Sequence, residues 1–101
     1  MKTFKDLTFE PHPYFDGEHA FLEFDNGRAV SVITGDKFLT SDDKPYEVGF
    51  LKKGGRLGCV NLYLDGDNMS VSLVQDADHN DVQGYCTEWE VSLIMAAIQT
   101  L

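Results

Sequence analysis

The stretch HAFLEFDNGRAVSVIT, residues 19–34, holds two β-rich runs on either side of Asn26-Gly27. Asn-Gly accepts a positive φ at both central positions of a type I′ turn, and the twist of that turn matches the twist of the flanking strands. The pattern therefore predicts a β-hairpin with strands at about residues 18–25 and 28–34.

Two more hairpins are predicted in KPYEVGFLKKGGRLGCVNLYLDGDNMSVSLVQ, residues 44–75. Apolar side chains alternate there with polar or small ones, and the alternation is interrupted by the turn-forming sequences Gly54-Gly55 and Asp65-Gly66-Asp67-Asn68. A period of two indicates strands with one buried face and one solvent-exposed face. Five strands in succession, mostly joined by tight turns, predict an antiparallel meander.

The C-terminal segment TEWEVSLIMAAIQTL, residues 87–101, changes to helical spacing. Its apolar stripe consists of Val91, Ile94, Ile98 and Leu101. Thr87 and Glu90 have the spacing of a capping box, with Cys86 placed to pack on Val91 as a hydrophobic staple. The stripe needs a partner, and one face of the meander is available.

The predicted fold class is therefore α+β: an antiparallel β-meander of about five strands with one C-terminal α-helix packed on one face. With 101 residues, the chain is expected to be a single domain, residues 1–101. A short N-terminal strand is expected at the sheet edge, because Pro11 and Pro13 cannot lie in a central strand. The polar segment 35–45 is expected to be the longest loop, with Phe38 and Leu39 either plugging the core or forming an exposed contact.

The composition excludes several classes of protein. No apolar run approaches the roughly 20 residues that cross a membrane, and the first residues lack the apolar region of a secretory signal. Two reduced thiols in a cytoplasm are expected, since Cys59 and Cys86 form no CxxC motif or Cys/His cluster in the sequence. Structural zinc is not predicted, and neither is any other metal or cofactor.

The charge is concentrated in the second half of the chain. The net charge is −9, and residues 57–101 contain seven acidic residues and no Lys or Arg. These seven residues are the predicted partner-binding surface: Asp65, Asp67, Asp76, Asp78, Asp81, Glu88 and Glu90. Such a surface repels phosphate backbones, so direct nucleic-acid binding is disfavoured. The acidity either serves solubility or forms a face that docks on a basic partner.

DADHNDVQGYCT, residues 76–87, begins like a calcium-binding EF-hand loop, with oxygen ligands at its first, third and fifth positions. The sixth position is Asp81 instead of glycine, and the twelfth is Thr87 instead of glutamate. The stretch is therefore interpreted as an acidic loop between a strand and the helix. It is also the densest part of the acidic surface.

The sequence shows no catalytic constellation. The three histidines, His12, His19 and His79, meet no metal or catalytic spacing rule. The carboxylates around His79 should favour its charged form. Cys59 is expected to be a buried, inert thiol in a strand interior. A non-enzymatic binding protein is therefore predicted, because binding needs only a surface.

Four blocks of the chain resemble a group of small uncharacterised proteins of tailed phages and prophages. The blocks are DLTFEPHP (6–13), FDNGRAVSV (24–32), YEV (46–48) and NDVQGYCTEWEV (80–91). The resemblance as a whole extends over about two thirds of the chain, while residues 51–74 depart from the pattern. The resemblance implies a phage origin and a location in the cytoplasm of the bacterial host, and it carries no assigned activity.

Small acidic phage proteins of this kind are often host-takeover or counter-defence inhibitors, such as anti-CRISPR or DNA-mimic proteins. The predicted function is therefore to dock the acidic surface on a basic surface of a bacterial host protein, including a nucleic-acid-binding defence complex. One alternative is a self-associating phage structural or accessory protein, which leaves a homodimer open. Another is a small-ligand binder with a pocket lined by His12, Tyr14 and the 35–45 loop.

Overall fold

The computed structural model describes residues 1–101, apart from the side chain of Arg56. The chain forms eight strands, one 3₁₀ turn at Phe4–Asp6 and one α-helix, α1, at Glu88–Gln99. The strands are β1 (Glu10–Pro11), β2 (Glu18–Glu23), β3 (Arg28–Thr34), β4 (Tyr46–Lys52), β5 (Arg56–Leu57), β6 (Cys59–Asp65), β7 (Asn68–Val74) and β8 (Gln83–Cys86).

The main sheet is antiparallel and has the strand order β1-β2-β3-β4-β5, with β8 also pairing with β4. The register aligns Leu22 of β2 with Val30 of β3 and Phe50 of β4, so these side chains share one face. That face carries the core, because Val30 and Phe50 are fully buried. The short β1 at the sheet edge confirms the expected N-terminal edge strand.

The hairpin between β2 and β3 forms with the predicted strands but with a different turn. Gly27 N donates to Phe24 O at 3.1 Å, and Phe24 N donates to Arg28 O at 2.7 Å. Gly27 has a φ of 81°, whereas Asn26 does not have a positive φ. The connection is therefore a three-residue loop that ends on a left-handed glycine, and the type I′ prediction was wrong. Asn26 instead uses its side-chain amide to donate to Ile98 O at 2.9 Å, which ties the hairpin to α1.

Helix α1 begins with the predicted capping box. Thr87 Oγ1 accepts a hydrogen bond from Glu90 N at 3.2 Å, and Glu90 Oε1 accepts one from Thr87 N at 2.9 Å. The helix buries four side chains in the core beside Phe50 and Val30: Val91, Ile94, Met95 and Ile98. The predicted α+β fold with a C-terminal helix on one sheet face is thus confirmed. No helix in the described chain is long and apolar enough to span a bilayer.

The hairpin of β6 and β7 leaves the main sheet, which differs from a continuous meander. The two strands pair only with each other and form a second sheet. The reason is the edge of β4: its last residues pair with β5, and its first residues pair with β8. One strand edge offers one row of hydrogen-bonding groups, so β6 cannot continue along it. The β6–β7 hairpin packs instead against the core through Val60 and its partly buried neighbours.

Residues 35–45 form the long loop, but neither of its two large apolar residues joins the buried core. Leu39 is 46% exposed, and its backbone oxygen accepts from Tyr85 N of β8 at 2.8 Å. Phe38 contacts the ring of His12, with ring centroids 5.1 Å apart. The loop is therefore held on β8 and on an aromatic cluster at the surface, and the core-plug alternative was wrong.

Candidate functional site

The segment that joins β7 to β8 carries the densest group of acidic side chains, and residues 76–81 are here named the acidic loop. The side chain of Asp78 is 97% exposed, that of Asp81 is 68% exposed, and that of Asp76 is 44% exposed. Three carboxylates in six residues, turned toward solvent, give the loop negative charge, which Lys52 and His79 offset in part.

His79 lies between two carboxylates of the acidic loop. Its Nδ1 is 2.8 Å from Asp78 Oδ1, and its Nε2 is 3.2 Å from Asp81 Oδ2. Hydrogen bonding to Asp78 and the nearby charge of Asp81 raise the pKa of His79, and the bond to His79 lowers the pKa of Asp78. The expectation that this histidine favours its charged form is confirmed.

Asp76 is paired with a base from the main sheet. Lys52 Nζ, at the end of β4, is 3.0 Å from both Oδ1 and Oδ2 of Asp76. Asp76 also has a positive φ of 56°, which marks the sharp exit from β7. Two of the three side chains that would open a calcium loop, Asp76 and Asp78, are thus engaged by Lys52 and His79. The interpretation of residues 76–87 as a loop was wrong for residues 83–86, which form β8.

The two acids of the β6–β7 turn lie far from the acidic loop. Asp65 and Asp67 are exposed at the tip of the hairpin, where Asp65 pairs with Asn68. The acidic loop begins at the other end, beyond the pair Cys59 and Val74. A seven-residue strand rising about 3.3 Å per residue separates the two ends by about 20 Å.

The two acids at the start of α1 form a third group. Glu88 is exposed. Burial is the main reason that the pKa of Tyr46, at the start of β4, is raised, and the negative charge of Glu88 is the second reason. Glu90 is half-buried and engaged in the capping box. The acidic loop begins at the opposite end of β4, beside Lys52. A strand of this length rises about 3.3 Å per residue, so the two ends of β4 are about 20 Å apart. The seven predicted residues therefore lie in three separate groups, and only Asp76, Asp78 and Asp81 are brought together.

Cys59 differs from its sequence-based interpretation as a buried thiol in a strand interior. It is the first residue of β6 and is half-buried, and its Sγ donates to His79 O at 3.4 Å. Cys86, in contrast, is fully buried, and burial raises the pKa of its thiol to about 12. Cys86 is therefore an unreactive core thiol, whereas Cys59 borders the acidic loop.

Sequence reasoning missed a grouping that includes Cys59. Single donor atoms from Cys59, His79 and Asp81 lie within 4.8 Å of one another. Twenty positions separate Cys59 from His79, so no spacing rule connects them. Only the pairing of β6 with β7 brings the start of β6 next to the segment that follows β7.

A second surface feature is an aromatic cluster around His12, defined by Tyr14, Phe15, His19 and Phe38. The ring centroid of His12 lies 5.1–6.3 Å from each of the four other rings. His12 Nδ1 accepts from the backbone N–H groups of Tyr14 and Phe15 at 3.2 and 3.3 Å, so this histidine organises the turn after β1. His12 thus lies between Tyr14 and Phe38 of the 35–45 loop, but the cleft at that loop is lined by other residues, Thr34, Gly35, Asp36, Thr40, Ser41, Asp42 and Pro45. The small-ligand hypothesis therefore stays a prediction.

Comparison with protein-family models, with curated proteins and with solved structures finds no match for this chain. The resemblance to small phage proteins therefore stays a prediction, and the function has to be argued from the surface itself.

Proposed function

We propose that the protein is a non-catalytic binding protein that docks its acidic loop on a basic surface of a partner protein. The single observation that carries the proposal is the exposure of Asp78 and Asp81 in a half of the chain that has seven acids and no Lys or Arg. Negatively charged side chains repel the phosphates of nucleic acid and attract basic protein surfaces. This attraction raises the rate at which the two proteins encounter each other.

Contacts within the chain support a smaller proposed docking surface than the seven acidic residues predicted from the sequence. Glu90 is occupied by the helix cap, and Asp76 is paired with Lys52, so these side chains are engaged within the chain. Asp65 and Asp67 lie at the far end of the β6–β7 hairpin. Glu88 is exposed but lies at the start of α1, away from the acidic loop. Asp78 and Asp81 contact His79 but stay 97% and 68% exposed, so we assign these two acids to the first contact with a partner.

The proposed partner is a basic protein of a bacterial host, and a nucleic-acid-binding defence complex has the required surface. A phage-encoded inhibitor of such a complex would occupy the positive surface that the complex uses for nucleic acid. This part of the proposal is supported by the resemblance of the chain to phage proteins and by its charge.

The test is affinity purification from bacterial host lysate with matched baits. We expect the variant D78K/D81K to lose a co-eluting basic protein that the unmodified chain retains, with an affinity lower by about tenfold or more. The control D65K/D67K makes the same charge change at the hairpin tip and should retain the protein. Capture by the unmodified chain should weaken between about 50 and 300 mM salt.

Three outcomes would reject this proposal. They are capture of no basic protein by the unmodified chain, equal capture by D78K/D81K, and capture that is insensitive to salt. Equal loss in both variants would show that only net charge matters and would reject the assignment to the acidic loop.

A second candidate function is self-association through the face of the main sheet that lies opposite the core. Phe21 on that face is 58% exposed, and its register neighbours are the small residues Ser31 and Gly49. An exposed aromatic ring on a shallow sheet face is suited to packing against a second copy of the chain. Light scattering at micromolar concentration should then give a dimer that the variant F21K abolishes, and a monomer would reject this candidate.

A further inference from the structure

We propose that Cys59, His79 and Asp81 bind a zinc ion through three side chains and leave one coordination position open. This inference concerns an ion and not a protein partner, so it goes beyond the proposed docking function and does not depend on it.

Two separate segments meet at the site and are fixed to each other by the backbone. Cys59 opens β6, and His79 and Asp81 follow β7. Val60 N donates to Asp81 O at 3.0 Å, and Cys59 Sγ donates to His79 O at 3.4 Å. The acidic loop is therefore held against the start of β6, and donor atoms of the three side chains lie within 4.8 Å of one another.

The combination of donor atoms selects zinc over calcium and magnesium. A thiolate, an imidazole and a carboxylate are all common zinc ligands, whereas calcium and magnesium prefer oxygen alone. The thiolate of Cys59 and the carboxylate of Asp81 would together balance the two positive charges of the ion. The surrounding half of the chain, with no Lys or Arg after residue 56, favours a divalent cation.

The ring of His79 directs Nε2 toward Asp81, and a zinc ion would displace the proton from that nitrogen on binding. Its Nδ1 lies 2.8 Å from Asp78 Oδ1, which leaves Nε2 facing Asp81 at 3.2 Å. A carboxylate on the far nitrogen of a metal-binding histidine is the usual arrangement, because it fixes the tautomer and the ring plane. Asp78 is therefore assigned as a positioning residue for His79.

The distances are close to those of a tetrahedral site. A nitrogen and an oxygen that bind one zinc ion at about 2.0–2.1 Å lie about 3.3 Å apart, and Nε2 of His79 is 3.2 Å from Oδ2 of Asp81. A sulfur at about 2.3 Å from the ion would lie about 3.6 Å from either. One donor atom from each of the three side chains lies within 4.8 Å of the others, so a small side-chain adjustment would close the site.

A cleft adjoins the site. Its volume is about 410 Å³, and its wall includes Cys59 and Asp81 together with Asn61 and Ser72. Two of the three ligands, Cys59 and Asp81, line this cleft, so the fourth position of a tetrahedral ion would be open to water or to a donor atom of a small molecule. An open site of this kind differs from a closed structural zinc site.

The test uses the full chain, kept reduced by a phosphine that does not bind metals, and titrated with Co²⁺ and Zn²⁺ separately. Cobalt should bind with a one-to-one stoichiometry and give a thiolate-to-metal charge-transfer band in the near ultraviolet, with the intense visible bands of a tetrahedral ion. Zinc should displace the cobalt and remove both sets of bands.

Variants assign the ligands. We expect C59S to remove the charge-transfer band, and H79Q and D81N each to lower the affinity for zinc by about tenfold or more. D78N should lower the affinity by about tenfold while keeping the charge-transfer band, since it removes only the support of His79. The control D67N removes one negative charge at the hairpin tip and should bind zinc within twofold of the unmodified chain.

Two results would overturn the zinc assignment. One is the absence of a charge-transfer band in the unmodified chain, a result that does not depend on whether any variant folds. The other is a zinc affinity of C59S or H79Q equal to that of D67N, which would indicate attraction by general negative charge. Capture of a host protein in the presence of a chelator separates the two proposals, because docking by charge alone does not need the ion.

Discussion

Replacing Phe50 by alanine should lower the free energy of unfolding by about 3–5 kcal/mol. Phe50 is the largest fully buried side chain of the core and lies in the interior strand β4, in register with Val30. Its ring also lies against Gly58, where an added Cβ would be 2.7 Å from Cδ2 of Phe50. Removal of the ring would thus leave a cavity between the main sheet, α1 and the start of β6, and that cavity adds to the lost transfer free energy.

Urea unfolding, followed by far-ultraviolet circular dichroism, measures this loss. The midpoint of thermal unfolding should fall by about 12 °C or more for a domain of this size. The matched control is F21A, which removes the same ring from the exposed face of the same sheet and should cost less than about 1 kcal/mol.

A large loss could leave F50A unfolded, since domains of this kind have about 5–15 kcal/mol of stability in total. F50L removes less volume and should then show an intermediate loss of about 1–2 kcal/mol. Equal stability of F50A and F21A would contradict the position of Phe50 in the core.

Replacing Gly84 by alanine should destabilise the protein by about 1–3 kcal/mol. Gly84 is buried in β8, and an added Cβ would lie 2.5 Å from Cβ of Leu39 and 3.1 Å from its backbone oxygen. The methyl group would push the 35–45 loop away from β8 and break the 2.8 Å hydrogen bond from Tyr85 N to Leu39 O. Burial raises the pKa of Glu47, and the substitution would also weaken the backbone hydrogen bond from Leu39 that partly offsets this rise.

Gly49 is the matched control for Gly84, because it is a buried glycine of β4 in the same sheet. An added Cβ at Gly49 would meet its nearest neighbour, Val82 Cγ1, at an ordinary 3.6 Å. We expect the free energy of unfolding of G49A to lie within about 0.5 kcal/mol of that of the unmodified chain. Hydrogen exchange at the amide of Tyr85 should be faster in G84A and unchanged in G49A. A G84A protein as stable as G49A would show that the loop does not lie on β8.

The surface that we assign to partner binding consists of Asp78 and Asp81 in the acidic loop, and its charge depends on the neighbouring His79. Asp78 and Asp81 are exposed enough to meet a partner, yet both also contact His79. Zinc at Asp81 would neutralise part of the negative charge that is proposed to attract a basic protein. Metal binding and partner binding at the acidic loop should therefore weaken each other by equal factors.

Much of the fold could be predicted from the sequence because its signals are local. The alternating runs gave β2, β3, β4, β6 and β7, and residues 87–101 gave a capped helix, confirmed at Glu88–Gln99. Each of these features depends on neighbours within about four positions, since strand alternation, tight turns and helix caps have short periods. Even the turn at Asn26-Gly27 was placed correctly, although its type was not.

The candidate site could be predicted only in part. The sequence located the acidic loop and the charge preference of His79, because both follow from residues adjacent in the chain. It could not show that Asp65 and Asp67 lie about 20 Å away, at the far end of a seven-residue hairpin. It also placed Cys59 in a buried strand interior, whereas Cys59 is half-buried at the start of β6.

By itself, then, the sequence determined the strands, the helix, the acidic balance and the position of the acidic loop. Only the tertiary structure decided that β8 takes the edge of β4 and that β6 and β7 form a separate sheet. The pairing of β6 with β7 brings Cys59 beside His79 and Asp81, and the hydrogen bond from Val60 N to Asp81 O holds the segment that leads into β8 there. Which strand occupies an edge depends on the competition between distant segments for one row of hydrogen-bonding groups, and no short window of sequence contains both competitors.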